Sequence, residues 1–127
     1  MARTNTKQAA GSKPPDLSVV IPTRNSSALL ADCLDSLRGE LRAGDFEAIV
    51  VDDGSADAEL RLVEACTLGD SGAAIRLVRL DRVGPAAARN AAATIARGEW
   101  LLFLDDAVVA PHGCFARARS SLAAGVG

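Results

Sequence analysis

Four short apolar runs alternate with stretches of helical periodicity, and that alternation most tightly constrains what this chain can fold into. The runs are residues 17–21 (LSVVI), 46–51 (FEAIVV), 75–80 (IRLVRL) and 99–104 (EWLLFL). Apolar, β-branched runs of this length suit strands covered on both faces, as in a parallel sheet. After the first run, Ser26 is placed to cap a helix whose Leu29, Leu30, Cys33, Leu34 and Leu37 share one face and which Gly39 ends. Residues 57–67 form a second helical stretch, with Leu60, Val63 and Leu62 turned inward. Residues 85–97 are Ala-rich, with Pro85 in the first turn and Gly98 just past the end, so this helix can lie close to a sheet. Residues 111–124 make a last, weakly patterned helix. Strand and helix in this rhythm predict an α/β fold, a three-layer sandwich on a mainly parallel sheet. Residues 17–21 and 99–104, the most continuously apolar, are expected side by side at its centre.

The 127 residues are enough for one domain with a real core. Residues 1–15 are polar, end in Pro14-Pro15 and lack periodicity, so they read as a disordered leader before a domain at 16–127. Lys and Arg number 14 against 16 Asp and Glu, a balance that gives no electrostatic reason to expect a nucleic-acid partner. No apolar run approaches the roughly 18 residues of a spanning helix, so no membrane segment is expected. Cys33, Cys66 and Cys114 are odd in number and lack metal-ligand spacing, which points to free thiols and a cytoplasmic setting. His112 is the only histidine, and no Gly-x-Ser-x-Gly turn exists for it to serve in a hydrolytic triad.

Polar clusters follow three of the apolar runs: Pro22-Thr23-Arg24-Asn25, Asp52-Asp53-Gly54-Ser55 and Asp105-Asp106. A fourth, from Gly84-Pro85 to Arg89-Asn90, opens the Ala-rich helix. Acids directly after buried strands are costly to desolvate unless they bind something, although each cluster taken alone can equally cap the next turn. In a parallel sheet, loops beyond the carboxyl ends of the strands are where ligands bind. The first cluster takes the place of a dinucleotide-binding Gly-x-Gly-x-x-Gly. Neither lysine, Lys7 or Lys13, stands in a phosphate-binding Gly-Lys-Ser/Thr loop. A response-regulator-like domain would need an acid pair after the first strand and a late lysine, and has neither.

Taken in order, LSVVIPTRN, EAIVVDDGSAD and GPAAARNAAATIARGEWLLFLDD resemble the family 2 glycosyltransferases, which have the GT-A fold. The resemblance covers residues 17–111 and implies the N-terminal, nucleotide-sugar-binding part of such an enzyme, with the acceptor-binding half and its general base outside these residues. It implies that a nucleotide-diphosphate sugar binds Pro22, Thr23, Arg24, Asp53, Arg89, Asp105 and Asp106. Pro22 and Thr23 would border the base, Asp53 would accept its N–H, and Arg24 or Arg89 would lie near the nucleotide. The family's Asp-x-Asp motif ligates Mg2+ or Mn2+ through its last acid. Here the triplet is Asp105-Asp106-Ala107, which leaves Asp106 as the metal ligand and implies weak metal dependence. No residue is assigned a catalytic role. The alternative is a catalytically inactive module that binds a nucleotide or a partner on the same scaffold.

Overall fold

The computed structural model describes residues 2–3, 15–41, 46–68 and 75–123. Its strands are β1 (Ala2–Arg3), β2 (Leu17–Thr23), β3 (Phe46–Asp53), β4 (Ile75–Leu80) and β5 (Trp100–Phe103). Its helices are α1 (Ser27–Leu41), α2 (Asp57–Leu68), α3 (Pro85–Ile95) and α4 (Cys114–Ala123). The strands form one sheet in the order β1-β5-β2-β3-β4, parallel except for β1.

Alternation along the strands separates two apolar layers. Val19, Ile21, Ala48 and Val50 face one side, where they meet Leu30, Cys33, Leu34 and Leu37 of α1, Val63 of α2 and Phe115 of α4. Phe46 and Phe115 close this layer edge to face, with ring centroids 5.1 Å apart. Val20, Ile49, Val51 and Leu101 face the other side, against Ala88 and Ala92 of α3 and Ala96 just beyond it. Those alanines recur every four residues, so their methyl groups form the single stripe along which the helix lies on the sheet. The three-layer sandwich is as the sequence predicts.

Several local expectations need correction. Leu29 is 50% exposed and Leu62 56% exposed, each one residue off the buried stripe that Leu30 and Val63 occupy. Gly39 does not end α1, which continues to the buried Leu41. The Ser26 carbonyl accepts the Leu30 N–H as a cap does, but its hydroxyl donates to the Arg24 carbonyl. The Ser27 N–H is met instead by Glu59 Oε2 of α2 at 3.1 Å. The third helix stops at Ile95 because Ala96 is extended, and the last begins at Cys114 after a turn.

Residues 17–21 and 99–104 are adjacent and parallel as expected: β2 is the middle strand of the five, and β5 lies between it and β1. Among the described residues the far side of β5 is covered by β1, through Ala2 opposite Leu101 and Arg3 opposite Trp100. An open edge leaves backbone N–H and C=O groups unpaired, so a short strand laid there satisfies them. Ala2 and Arg3 form a short strand against the sheet; the rest of the segment read as a leader, residues 1 and 4–14, lies outside the described residues.

Candidate functional site

With β2, β3, β4 and β5 parallel, their carboxyl ends open on one edge, and the polar clusters gather there. A cleft of about 490 Å³ is lined by Pro22, Thr23, Arg24, Asp53, Arg82 and Asp106, with Gly84, Pro85 and Ala88 as its small-residue wall. A second cleft of about 240 Å³ adjoins it, sharing Pro22, Pro85 and Asp106 and adding Arg89, Phe103 and Asp105. Pro22, Thr23, Arg24, Asp53, Arg89, Asp105 and Asp106, the residues that the resemblance assigned to the nucleotide, each line one cleft or the other, whereas Asn25, Asp52, Gly54, Ser55 and Asn90 of the same polar clusters do not.

The loops are tied together by their own polar atoms. Asp52 is buried and accepts both the N–H and the hydroxyl of Ser55, at 3.0 and 2.6 Å. The Ser55 hydroxyl in turn accepts the Asn25 N–H at 2.8 Å, and Asn25 Oδ1 accepts the Ala56 N–H at 2.8 Å. Asn25 holds a φ of 51°, a left-handed conformation that Asn tolerates better than most residues. The loop after β2, which follows Thr23 and begins with Arg24, is thereby clasped to the loop after β3, which follows Asp53.

Asp53 accepts the backbone N–H of Val83 at 2.7 Å and of Gly84 at 2.9 Å, one on each carboxylate oxygen. It therefore fixes the loop that opens α3, while each oxygen keeps a lone pair toward the cleft. Arg82, which the sequence reading passed over, enters the same cleft from that loop with a φ of 54°. Its Cγ lies where a side chain on Gly54 would project, so only glycine fits there, and Gly54 itself has a φ of 86°. Among the described residues, the Arg24 and Arg82 guanidiniums have no hydrogen-bond or ion-pair partner. Two free cations beside acids suit an anionic ligand that also carries donors.

At the other end of the cleft, the Thr23 hydroxyl donates to Asp106 Oδ2 at 2.8 Å. Partial burial raises the Asp106 carboxyl above the usual aspartate range, the Thr23 hydroxyl pulls it down, and the Asp105 carboxyl beside it raises it again. Continued strand geometry would turn Asp106 away from Asp105. The strand instead ends at Phe103, and a turn at Asp106-Ala107 brings both acids to the smaller cleft. Asp105 Oδ1 accepts the Ala107 N–H at 2.9 Å, which shapes that turn. The Cys33 thiol beneath is pushed up to about 11 by burial and by the negative charges of Asp106 and Asp105, so it stays protonated. Arg89 lies over the Phe103 ring, 5.9 Å from its centroid.

No group of three or more His, Cys, Asp or Glu among the described residues is placed to hold a metal ion. The donor chemistry of Asp105 and Asp106 nonetheless fits Mg2+ or Mn2+. Such ions commonly take one or two carboxylates and complete their shell with substrate phosphates and water.

An open, mainly parallel sheet with helices on both faces and a polar cleft beyond its carboxyl edge defines a doubly wound α/β domain, in which ligands bind at that edge. This chain belongs to glycosyl transferase family 2, whose model matches residues 18–124. It is 38% identical over 91 residues to the poly(ribitol-phosphate) beta-glucosyltransferase of Bacillus spizizenii, covering 71% of this chain and 14% of that protein. A mannosyltransferase of Pyrobaculum calidifontis, solved in complex with GDP-Man and Mn2+, aligns with a TM-score of 0.77 at 28% identity, over 96% of this chain and 34% of its own. S. aureus TarS 1-349 in complex with UDP-GlcNAc aligns with a TM-score of 0.73, again at 28% identity, over 86% of this chain and 31% of its own. The fold is that of the GT-A glycosyltransferases, and this chain spans no more than 34% of any of these three proteins. No helix among the described residues is long and apolar enough to cross a membrane.

Proposed function

We propose that this chain binds the nucleotide-diphosphate sugar donor of a glycosyl transfer along the carboxyl edge of its sheet. The observation that carries the reading is the convergence of Pro22, Thr23, Arg24, Asp53, Arg89, Asp105 and Asp106 on two adjoining clefts of a family 2 domain. Sheet order sets the direction of the ligand. Asp106 follows β5 and Asp53 ends β3, two strands apart, or roughly 10 Å at the usual interstrand spacing. That span suits a nucleotide with its base beside Asp53 and its diphosphate beside Asp105 and Asp106.

In this arrangement Asp53 accepts a base N–H on a carboxylate whose geometry the Val83 and Gly84 amides already fix. Pro22 and Thr23 border the base, and Thr23 also keeps Asp106 oriented through its hydroxyl. Arg24 and Arg89 supply positive charge along the nucleotide. Asp105 and Asp106 would hold Mg2+ or Mn2+ against the diphosphate, and the ion supplies charge neutralisation as the sugar–phosphate bond breaks. Ala107 adds no ligand, an observation that also favours a second reading: a module that binds nucleotide or a partner without turnover.

Replacing Asp53 with alanine tests the base assignment. The expected result is nucleoside diphosphate binding weakened by about 1–3 kcal/mol, the range for a lost hydrogen bond to a charged group. Isothermal titration calorimetry on the native and variant chains reads it directly. Equal affinities would remove Asp53 from the site.

A further inference from the structure

We infer that Arg82 makes the base end of the cleft selective for guanine, so that the donor is a guanosine-diphosphate sugar. The inference rests on the donor-site reading above and goes further by naming the base from this chain's own residues. The solved neighbours carry GDP-Man in one case and UDP-GlcNAc in another, so they leave the base open.

Two side chains at that end, Asp53 and Arg82, set what a base there must offer. Asp53 is an acceptor only, with a lone pair left on each oxygen after the Val83 and Gly84 amides are met. Arg82 is a donor only, with a planar fork of N–H groups and no partner among the described residues. Its backbone sits at a φ of 54°, and its stem lies over Gly54, the residue next to Asp53. A carboxylate and a guanidinium rooted this close together, in one cleft, call for a base with paired donors beside paired acceptors.

Guanine has that pattern. Its N1–H and N2–H face one way and can meet a carboxylate, while O6 and N7 lie along the adjoining edge and match an arginine fork. Uracil offers a single ring N–H between two carbonyls, so the fork gains at most one bond. Adenine presents a ring acceptor beside its amino group, which leaves a carboxylate facing a lone pair. The small wall of Gly84 and Ala88 gives the larger purine room.

The test is calorimetric titration of the full chain with GDP, UDP and ADP in one Mn2+-containing buffer. GDP is expected to bind roughly tenfold or more tighter than UDP, the discrimination a bidentate arginine contact confers, with ADP weakest. Arg82→Gly removes the fork while suiting the left-handed backbone, and should bring GDP to within about twofold of UDP. Arg82→Lys keeps the charge without the fork and should behave likewise; thermal melts confirm that both variants fold. Native binding of UDP as tightly as GDP, or a GDP preference that survives in both variants, overturns the base assignment and leaves the donor site standing. Binding of none of the three overturns both.

Discussion

Replacing Glu47 with alanine is expected to cost about 3 kcal/mol of stability, at the lower end of what breaking a buried ion pair costs. Glu47 is the second residue of β3, on the edge opposite the clefts, and is 1% exposed. It accepts the Ser18 hydroxyl at 2.5 Å, the Arg97 N–H at 2.7 Å and the Arg76 guanidinium at 2.8 Å. Burial raises its carboxyl, but the hydrogen bonds from Ser18 and Arg97 and the charge of Arg76 outweigh that and hold it below the usual glutamate value. Without the carboxylate, Arg76 keeps its bond to the Ile95 carbonyl, while its buried Nε has no hydrogen-bond partner even in the intact protein. Because Arg76 and Arg97 are partly exposed and can turn toward water, the lower end of the range applies.

The sign of the pH effect follows. A carboxylate whose pKa is lowered by folding stabilises above its unfolded value, and that contribution is lost as pH falls through the lower folded value. Over that interval the acid limb of the native stability profile should be steeper than that of Glu47→Ala. Urea unfolding at several pH values, with the slope m compared between the two proteins, reads both effects. A loss under about 1 kcal/mol at neutral pH would mean that the cluster contributes little.

Gly98→Val should cost about 3 kcal/mol or more, or prevent folding, because backbone stands in the way. A Cβ at Gly98 would lie 2.6 Å from the Ser18 N, 2.6 Å from its Oγ and 2.8 Å from the Leu17 carbonyl carbon. Ser18 cannot retreat, since its hydroxyl joins the Gly98 N–H, accepted at 2.8 Å, to Glu47. Its strand is also paired on both sides, with β3 and with β5. Gly98 thus serves close packing of the turn into β5 as much as ending a helix. A variant with an unchanged melting temperature would contradict this packing.

The main features of the fold were legible because they rest on local pattern. Val19 and Val20 are consecutive apolar residues buried on opposite faces, as a doubly covered strand requires. Acids written directly after such runs, Asp53 and Asp106, line the cleft. What local pattern does not carry is long-range placement. The apolar continuity of residues 17–21 and 99–104 did point to their pairing, but nothing in it says that Ala2 and Arg3 lie on the far side of β5. Glu47 reads as one polar residue in an apolar run, and its partners lie 29 and 50 positions away. Arg82 was missed for a related reason: it follows an alternating strand without an acid pair. Parallel pairing of β4 with β3 was the available signal, since it carries that strand's end to the same edge.

The central claim, a donor nucleotide laid along the carboxyl edge with its diphosphate at Asp105 and Asp106, is tested most directly by titrating nucleoside diphosphate with Mn2+ and with chelator. The titrations are run on the native chain and on Ala107→Asp. The native chain should bind in both conditions, with only a several-fold gain from Mn2+, because Asp105 and Asp106 hold the ion without the further carboxylate that Ala107 cannot supply. Ala107→Asp should make the dependence strong, since a further carboxylate next to Asp106 would reach an ion already drawn to the diphosphate oxygens. No binding by the native chain in either condition, or no metal dependence in the variant, would contradict the account.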